Sequence, residues 1–378
     1  MHELSQSTTP LPVPGSGVRV AFGAGNLNHV GRIAQDEGAT RVLLVTDPGV
    51  RDAGHVERAV RALYKSGIAV RVFDGVGENP TTVHVGRGLR MAQEFKPDLI
   101  LGLGGGSAMD CAKGINFLFT NGGKMQDYWG ADKAQLPLLP FIAVPTTAGT
   151  GSDAQSYALI TDPETHQKMA CGDKKALPRV AVLDPDLTAT QPPKVAAATG
   201  IDAIAHAVET SATTRRNATS RRLAKEAWLL LEPAYPRVMQ NPADAQARED
   251  MLLGAHLAGA AIENSMLGAA HALANGLTAV LSTVHGVAVG LMLPHVVRFN
   301  AEIENPYSDL ASDAEDLARR LEGLLKAGNL PRSLSEIGGE ESILPQLSAI
   351  AAKQWTATFN PRAVGEPEMR WIYQMAME

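Results

Sequence analysis

Cysteine is nearly missing from this chain: Cys111 and Cys171 are the only two in 378 residues. Two are too few for a disulfide framework, and a reducing cytoplasm is the expected compartment. Charge of one sign is not in excess either. A net charge of -6 and a pI near 6.0 leave no electrostatic footprint for nucleic acid or an anionic membrane surface. No apolar run approaches the ~20 residues needed to cross a bilayer, so no membrane partner is expected. The stretch Met1–Gly17 is polar and Pro-rich, without a basic region followed by an apolar one, and reads as a frayed start rather than a signal peptide. Internal repeats and low-complexity tracts are absent too. What remains is an ordinary globular composition, 45% hydrophobic and 20% charged, at a length that suits two domains.

From Val18 onward short β-branched runs alternate with longer amphipathic segments. Arg41–Asp47 reads as a buried strand, Val56–Ser66 as a helix, Ala69–Phe73 as a strand, Val83–Phe95 as a helix and Leu99–Leu103 as a strand. Further strands are expected at Phe141–Pro145 and Arg179–Asp184. Such alternation predicts a Rossmann-like α/β domain, a parallel sheet with helices on both faces. After Asp186 the pattern changes to Ala-rich helical segments at Lys194–Thr213, Ser220–Met239, Ala243–Glu263, His271–Leu281, Val287–Ile303 and Ala311–Leu324. The second half is therefore expected to be all-α. The Pro-rich stretch Pro185–Pro193 breaks regular structure and places the boundary there, giving a nucleotide-binding domain over 1–187 and a helical, metal-binding domain over 188–378.

Chemistry concentrates between Gly200 and His285. If Thr199–Glu209 is helical, Asp202 and His206 lie one turn apart on one face, aimed at a common point. A helix alone cannot close a metal site, so the other ligands must come from elsewhere, and His271 and His285 are the candidates. One Asp and three His form a mixed N/O set suited to a divalent first-row ion such as Fe(II) or Zn(II). The lack of thiolates speaks against a closed structural zinc site. A lone His in an Ala/Leu-rich helix is more often a hydrogen-bonded core residue. Asp202 alters that balance, because a carboxylate buried unpaired in an apolar helix costs several kcal/mol.

Two stretches of the first half suit a nucleotide. Leu101–Lys113 follows a strand and opens a helix; its glycines at Gly104, Gly105 and Gly106 allow close backbone approach, while the helix start favours a pyrophosphate. Ser107 can cap that helix. Asp110 sits awkwardly beside an anion unless it binds a ribose or nicotinamide group. Pro145–Asp153 is a second small, hydroxyl-rich loop after a strand. By itself such a loop is usually only a turn; paired with the first at the carboxyl ends of neighbouring strands, it describes a ligand crevice. Two other stretches are discounted. Phe22-Gly-Ala-Gly-Asn lacks the third glycine and the acidic residue of a dinucleotide fingerprint and reads as a turn. The basic cluster Thr214–Arg222 reads as a solvated helix face or subunit contact.

Taken together, Gly104–Lys113, Pro145–Ser152, Gly200–Glu209 and His285–His295 resemble the signatures of the iron-containing (group III) alcohol dehydrogenases in order and spacing. Weaker matches run from Phe22 to Asn360-Pro-Arg362. The resemblance implies an enzyme, an NAD-linked alcohol dehydrogenase or aldehyde reductase acting on a small alcohol or hydroxy compound, commonly a homodimer or larger homo-oligomer. It implies that Asp202, His206, His271 and His285 hold the metal and serve catalysis. It further implies that Gly105, Gly106 and Ser107 hold the cofactor pyrophosphate, that Thr146, Thr147 and Thr150 line the nicotinamide side, and that Asn79, Leu159 and Lys168 make additional contacts. Asp47 matches the position that binds the adenosine ribose, where its charge would repel a 2′-phosphate and favour NAD over NADP. The alternative is a non-redox lyase or cyclase similar to dehydroquinate synthase, which also uses metal and NAD; the basic cluster its phosphorylated substrate needs is not evident. The sequence departs from the family at Asn275, where a second His commonly follows one turn after the His271 position.

Overall fold

The computed structural model describes residues 7–165, 167–302 and 305–378. Met1–Gln6 of the N-terminal stretch and Ile303, the expected end of one helix, lie outside them. The chain divides into two compact units, 1–191 and 192–378.

The first unit carries ten strands among the described residues: β1 (Ser7–Pro12), β2 (Arg19–Phe22), β3 (Arg41–Val45), β4 (Ala69–Phe73), β5 (Leu99–Gly104), β6 (Gly130–Ala131), β7 (Phe141–Pro145), β8 (Tyr157–Thr161), β9 (Lys168–Gly172) and β10 (Val180–Leu183). Seven form one sheet in the order β1-β2-β10-β7-β5-β3-β4. All neighbours in it run parallel except β1 and β2. Helices α1 (Val30–Asp36), α2 (Pro48–Asp52), α3 (His55–Lys65), α4 (Thr82–Phe95), α5 (Gly106–Asn121) and the short α6 (Pro185–Thr188) complete the unit. The period of two along each strand sorts the apolar side chains between two cores. Leu43, Val45, Ile100 and Phe141 pack with α4 and α5 residues such as Val85 and Ile115. Val42, Leu44, Leu101 and Val144 pack with Ile33 of α1 and Leu63 of α3 on the other side.

Two features differ from the sequence-based expectation. Ser7–Pro12 is an antiparallel edge strand rather than a frayed start. Its prolines are compatible with that place, since an edge strand has N–H groups to spare. A second, three-stranded sheet, β6-β9-β8, also forms. Its strands are two to five residues long and carry no long apolar run, so periodicity gave no sign of it.

The Phe22–Asn26 turn is organised by a carboxylate from far along the chain. Asp184, fully buried at the end of β10, accepts hydrogen bonds from the N–H groups of Gly25 (2.9 Å), Leu27 (3.0 Å) and Asp186 (3.1 Å). The anion position of this glycine turn is thus filled by the protein itself.

Among the described residues the second unit is helical throughout its regular structure: α7 (Pro193–Ala212), α8 (Ala218–Gln240), α9 (Ala245–Asn264), α10 (Ala269–Leu281), α11 (His285–Asn300), α12 (Ala314–Ala327), α13 (Leu344–Ala351) and α14 (Glu366–Met375). Helix α7 is buried on nearly every face after Ala197, as an Ala-rich helix surrounded by others must be. Its glycine lets the neighbours close in. A Cβ at Gly200 would stand 2.6 Å from the Tyr235 ring of α8, whose hydroxyl donates to Ala197 O at 2.9 Å.

Replacing Asp184 by Ala would strand three backbone donors in the interior. At roughly 1–3 kcal/mol for each unsatisfied group, with partial relief from water, the variant should lose about 3 kcal/mol of stability, read as a shift of the denaturant midpoint. Asp184→Asn, which keeps one acceptor oxygen, should lose less.

Candidate metal and cofactor sites

In the first unit the sheet order fixes where a ligand can lie. From β3 the chain goes outward to β4, then back past β3 to β5 and on to β7, so its direction reverses between β3 and β5. That reversal opens a crevice at the carboxyl ends of the strands. Asp47 follows β3 there, and Gly104 ends β5.

Gly104 has a φ of 152°, open to glycine, and a Cβ on it would stand 2.7 Å from Ala108 Cβ and 3.1 Å from Asp47 Oδ2. One Asp47 oxygen therefore faces the glycine turn while the other, Oδ1, accepts from Val50 N–H at 3.0 Å and caps α2. The second loop closes the turn from the far side. Thr146 N–H donates to Gly104 O at 3.0 Å, and a Cβ on Gly106 would stand 2.8 Å from Thr150 Oγ1. Thr147 Oγ1 is buried with no hydrogen-bond partner among the described residues, 3.5 Å from where a Gly105 Cβ would be.

The cap of α5 differs from expectation. Gly105, not Ser107, is the N-cap, and no side chain caps the helix. Ser107 lies inside the first turn, so the first N–H groups of α5 are left for an incoming anion. Asp110 is turned inward. Its Oδ1 accepts from Ser152 Oγ (2.6 Å) and its Oδ2 from Leu159 N–H (3.2 Å), which ties α5 to both the second loop and β8. Burial pushes this carboxyl up, with Lys113 pulling against it. Lys113, itself buried, donates to Ser152 O (2.7 Å), Ser152 Oγ (2.9 Å), Gln155 O (2.8 Å) and Tyr157 O (2.9 Å). The Asp110 and Lys113 pair thus holds the shape of the loop, a role the sequence reading did not assign to Lys113. Asn79, in the left-handed region with φ 49°, accepts from Lys168 Nζ of β9 at 3.4 Å, so two residues implied as cofactor contacts meet.

In the second unit Asp202, His271 and His285 bring one possible ligand atom each to a common point, and His206 stands beside Asp202 rather than within that group of three. Asp202 and His206 sit one turn apart on α7, with Asp202 Oδ1 and His206 Nε2 separated by 3.5 Å. His271, in the first turn of α10, places Nε2 3.5 Å from the same oxygen. His285 begins α11, and its ligand atom, those of Asp202 and His271 lie within 4.8 Å of one another. The His206 and His271 rings stack at 5.0 Å, and His271 and His285 lie 5.4 Å apart. Gly286 makes the approach of α11 possible: a Cβ there would meet Ala198 O at 2.0 Å and Asp202 Cβ at 3.2 Å.

Asp202 Oδ1 and His271 Nε2 are buried and have no hydrogen-bond partner among the described residues. Two ligand atoms on a tetrahedral cation with bonds near 2.1 Å stand about 3.4 Å apart, close to the observed separations. Buried, mutually facing N and O atoms at that spacing fit a divalent first-row ion. Burial alone would raise the Asp202 carboxyl, yet His206, His271 and His285 outweigh it and hold it well below the carboxylate range. For His271 burial works downward, but Glu209 and Asp202 push it up to about 9.

Sequence reasoning passed over one residue of this centre. Glu209, two turns beyond Asp202 on α7, is buried; its Oε2 lies 2.5 Å from His271 Nδ1, and its Oε1 accepts from Ala270 N–H at 2.7 Å. Its signal was an acid on the Asp202 and His206 face of a helix with no room for a solvated charge. Asn275, one turn past His271, donates to Gln354 Oε1 at 3.1 Å.

Comparison with known proteins covers both units. Residues 17–185 match the family model described as iron-containing alcohol dehydrogenase, and residues 196–377 match the Fe-containing alcohol dehydrogenase family, C-terminal. The chain is 34% identical to alcohol dehydrogenase 4 of Schizosaccharomyces pombe over 98% of its length and 92% of the relative's. Among solved structures it is similar to a 1,3-propanediol oxidoreductase, with a TM-score of 0.90, 33% identity and coverage of 95% and 97%. It is also similar to the sulfoacetaldehyde reductase of Bifidobacterium kashiwanohense, determined in complex with NAD+, with a TM-score of 0.87, 26% identity and coverage of 95% and 97%.

His271→Ala should abolish metal binding while the helical unit remains folded. Elemental analysis of the purified variant beside its far-UV circular dichroism checks this, and full metal occupancy would contradict the assignment.

Proposed function

The chain belongs to the iron-containing alcohol dehydrogenase family and is a metal-dependent oxidoreductase of alcohols and aldehydes; on that premise we propose that it moves hydride between a small alcohol or hydroxy compound and NAD. The observation that carries the reading is the buried pair of Asp202 Oδ1 and His271 Nε2, facing each other with His206 and His285 beside them.

A divalent cation held by Asp202, His206, His271 and His285, Fe(II) in first place and Zn(II) in second, would supply Lewis acidity that lowers the pKa of an alcohol hydroxyl, and NAD would take the hydride. The donor set suits that work. With a cation bound, three neutral imidazoles and one carboxylate would cancel one of its two positive charges, and the remaining one would favour negative charge on a substrate oxygen. No covalent nucleophile is required of the protein. Gly105, Gly106 and Ser107 present the open end of α5 to a pyrophosphate, Thr146, Thr147 and Thr150 line the crevice wall, and Asp47 offers Oδ2 to a ribose. Asn79, Leu159 and Lys168 extend this surface. Asp110 and Lys113 act on the cofactor through the loop they hold.

Met266 and Leu267, just ahead of α10, supply apolar walls of small to medium size and suit a short substrate. The proposal extends to a cytoplasmic homodimer or larger homo-oligomer. Both cysteines are buried free thiols, with burial pushing the Cys171 thiol up to about 12, and no helix among the described residues is long and apolar enough to cross a membrane.

Elemental analysis combined with an NAD-linked screen of short alcohols and aldehydes tests the function. NAD reduction that disappears on chelation and returns with Fe(II) or Zn(II) is the expected result. Bound metal and bound NAD without net oxidation would instead favour the cyclase chemistry. Cofactor choice has its own check in Asp47→Asn, which retains the oxygen that caps α2 but removes the charge. Steady-state kinetics should show the preference for NAD over NADP falling by about tenfold, equivalent to roughly 1.4 kcal/mol.

A further inference from the structure

Glu209 is the buried group that the proposed chemistry leaves without a task. It lies on α7, 3% exposed, and both of its oxygens are committed to the first turn of α10: Oε1 to Ala270 N–H at 2.7 Å and Oε2 to His271 Nδ1 at 2.5 Å. It has no freedom to turn away. A Cβ on Gly268 would stand 3.0 Å from Oε1, so the backbone of the α10 N-terminus is pressed against the carboxylate. Behind that turn Asn360 closes the space. Its Oδ1 accepts from Ala269 N–H (3.4 Å) and from Asn300 Nδ2 (3.2 Å), while its own Nδ2 donates to Asn300 Oδ1 (2.7 Å) and Arg362 O (2.7 Å).

We propose that Glu209 is a positioning residue that fixes the tautomer of His271. With Oε1 taken by Ala270 N–H and Oε2 facing Nδ1, the ring proton of His271 is held on Nδ1 when a cation takes Nε2, the atom aimed at Asp202 and the metal position. The same carboxylate supplies the acceptor that the α10 N-terminus lacks in its own N-cap, Gly268. One side chain therefore sets the place of the imidazole through the helix and its protonation through the ring. The inference rests on the metal reading given above.

Glu209→Gln separates positioning from simple support because it preserves size and shape. With its carbonyl toward Ala270 N–H, the Gln amide points an N–H at His271 Nδ1, which must then accept. The ring proton moves to Nε2 and faces Asp202 Oδ1, closing the ligand position with a hydrogen bond. In the flipped orientation two N–H groups meet at Ala270. Neither arrangement reproduces the wild-type donor pattern.

The test measures Zn(II) affinity by competition with a chromophoric chelator for the wild-type protein and for Glu209→Gln, beside thermal unfolding of both after chelation. Wild-type protein should bind Zn(II), the variant should bind 10- to 100-fold more weakly, and its metal-free unfolding midpoint should stay close to wild type. Equal affinity in the two folded proteins overturns the positioning role, whereas failure of the wild type to bind Zn(II) overturns the metal reading itself. If the variant does not fold, long-range proton–nitrogen correlation on histidine-labelled, Zn(II)-loaded wild-type protein decides the matter. A proton on His271 Nδ1 supports the role, and a proton on Nε2 removes it.

Discussion

One buried carboxylate sets the terms for the second unit. Asp202 stands in a helix whose other faces are packed with Ala, Ile and Val, where an anion without donors is costly. Three imidazoles and no backbone N–H answer it. The small side chains of α7, the missing Cβ of Gly286 and the glycine ahead of α10 all allow that gathering, since each shortens the distance between α7 and a helix that delivers a histidine. The tight packing of this bundle is thus part of how the centre is made.

Buried carboxylates elsewhere in the chain show why Asp202 differs. Asp184 has backbone donors on both oxygens and holds a turn. Asp110 has a hydroxyl on one oxygen and a backbone N–H on the other, with Lys113 near at hand, and holds a loop. These anions are satisfied within the protein and carry structure. Asp202 Oδ1 lies 3.5 Å from a nitrogen of both His206 and His271 and has no hydrogen-bond partner among the described residues, an arrangement that suits a cation between them.

Much of this was legible in the residues because it depends on local spacing. The i, i+4 relation of Asp202 and His206, the strand-then-glycine order around Leu101–Gly106 and the switch from a period of two to Ala-rich helices after Asp186 all reflect distances along one element. The features that escaped depend on pairs far apart in sequence. Glu209 meets His271 across 62 residues, Asp184 meets Gly25 across 159, and β6 finds β9 by pairing two residues. The cap of α5 was misplaced for a different reason. Ser is the better capping residue by propensity, but the chain turns two residues earlier than Ser107, at Gly105, where a Cβ would come within 3.5 Å of Thr147.

Asn275 shows how far a resemblance carries and where it stops. A histidine there could take up a proton leaving the substrate hydroxyl; an amide cannot titrate, and this one is spoken for by Gln354 Oε1. Gln354 in turn donates to Ile350 O at 3.4 Å, which anchors the amide pair to the helix beneath it. The pair is neutral at every pH, so it brings no charge to the proposed metal position. The proton released in alcohol oxidation must then leave by a group that this position does not provide, such as a ribose hydroxyl, a threonine or water. The proposed metal ligands come from α7, α10 and α11, whereas the proton's exit turns on a single side chain one turn farther along, so the second can change while the first is kept.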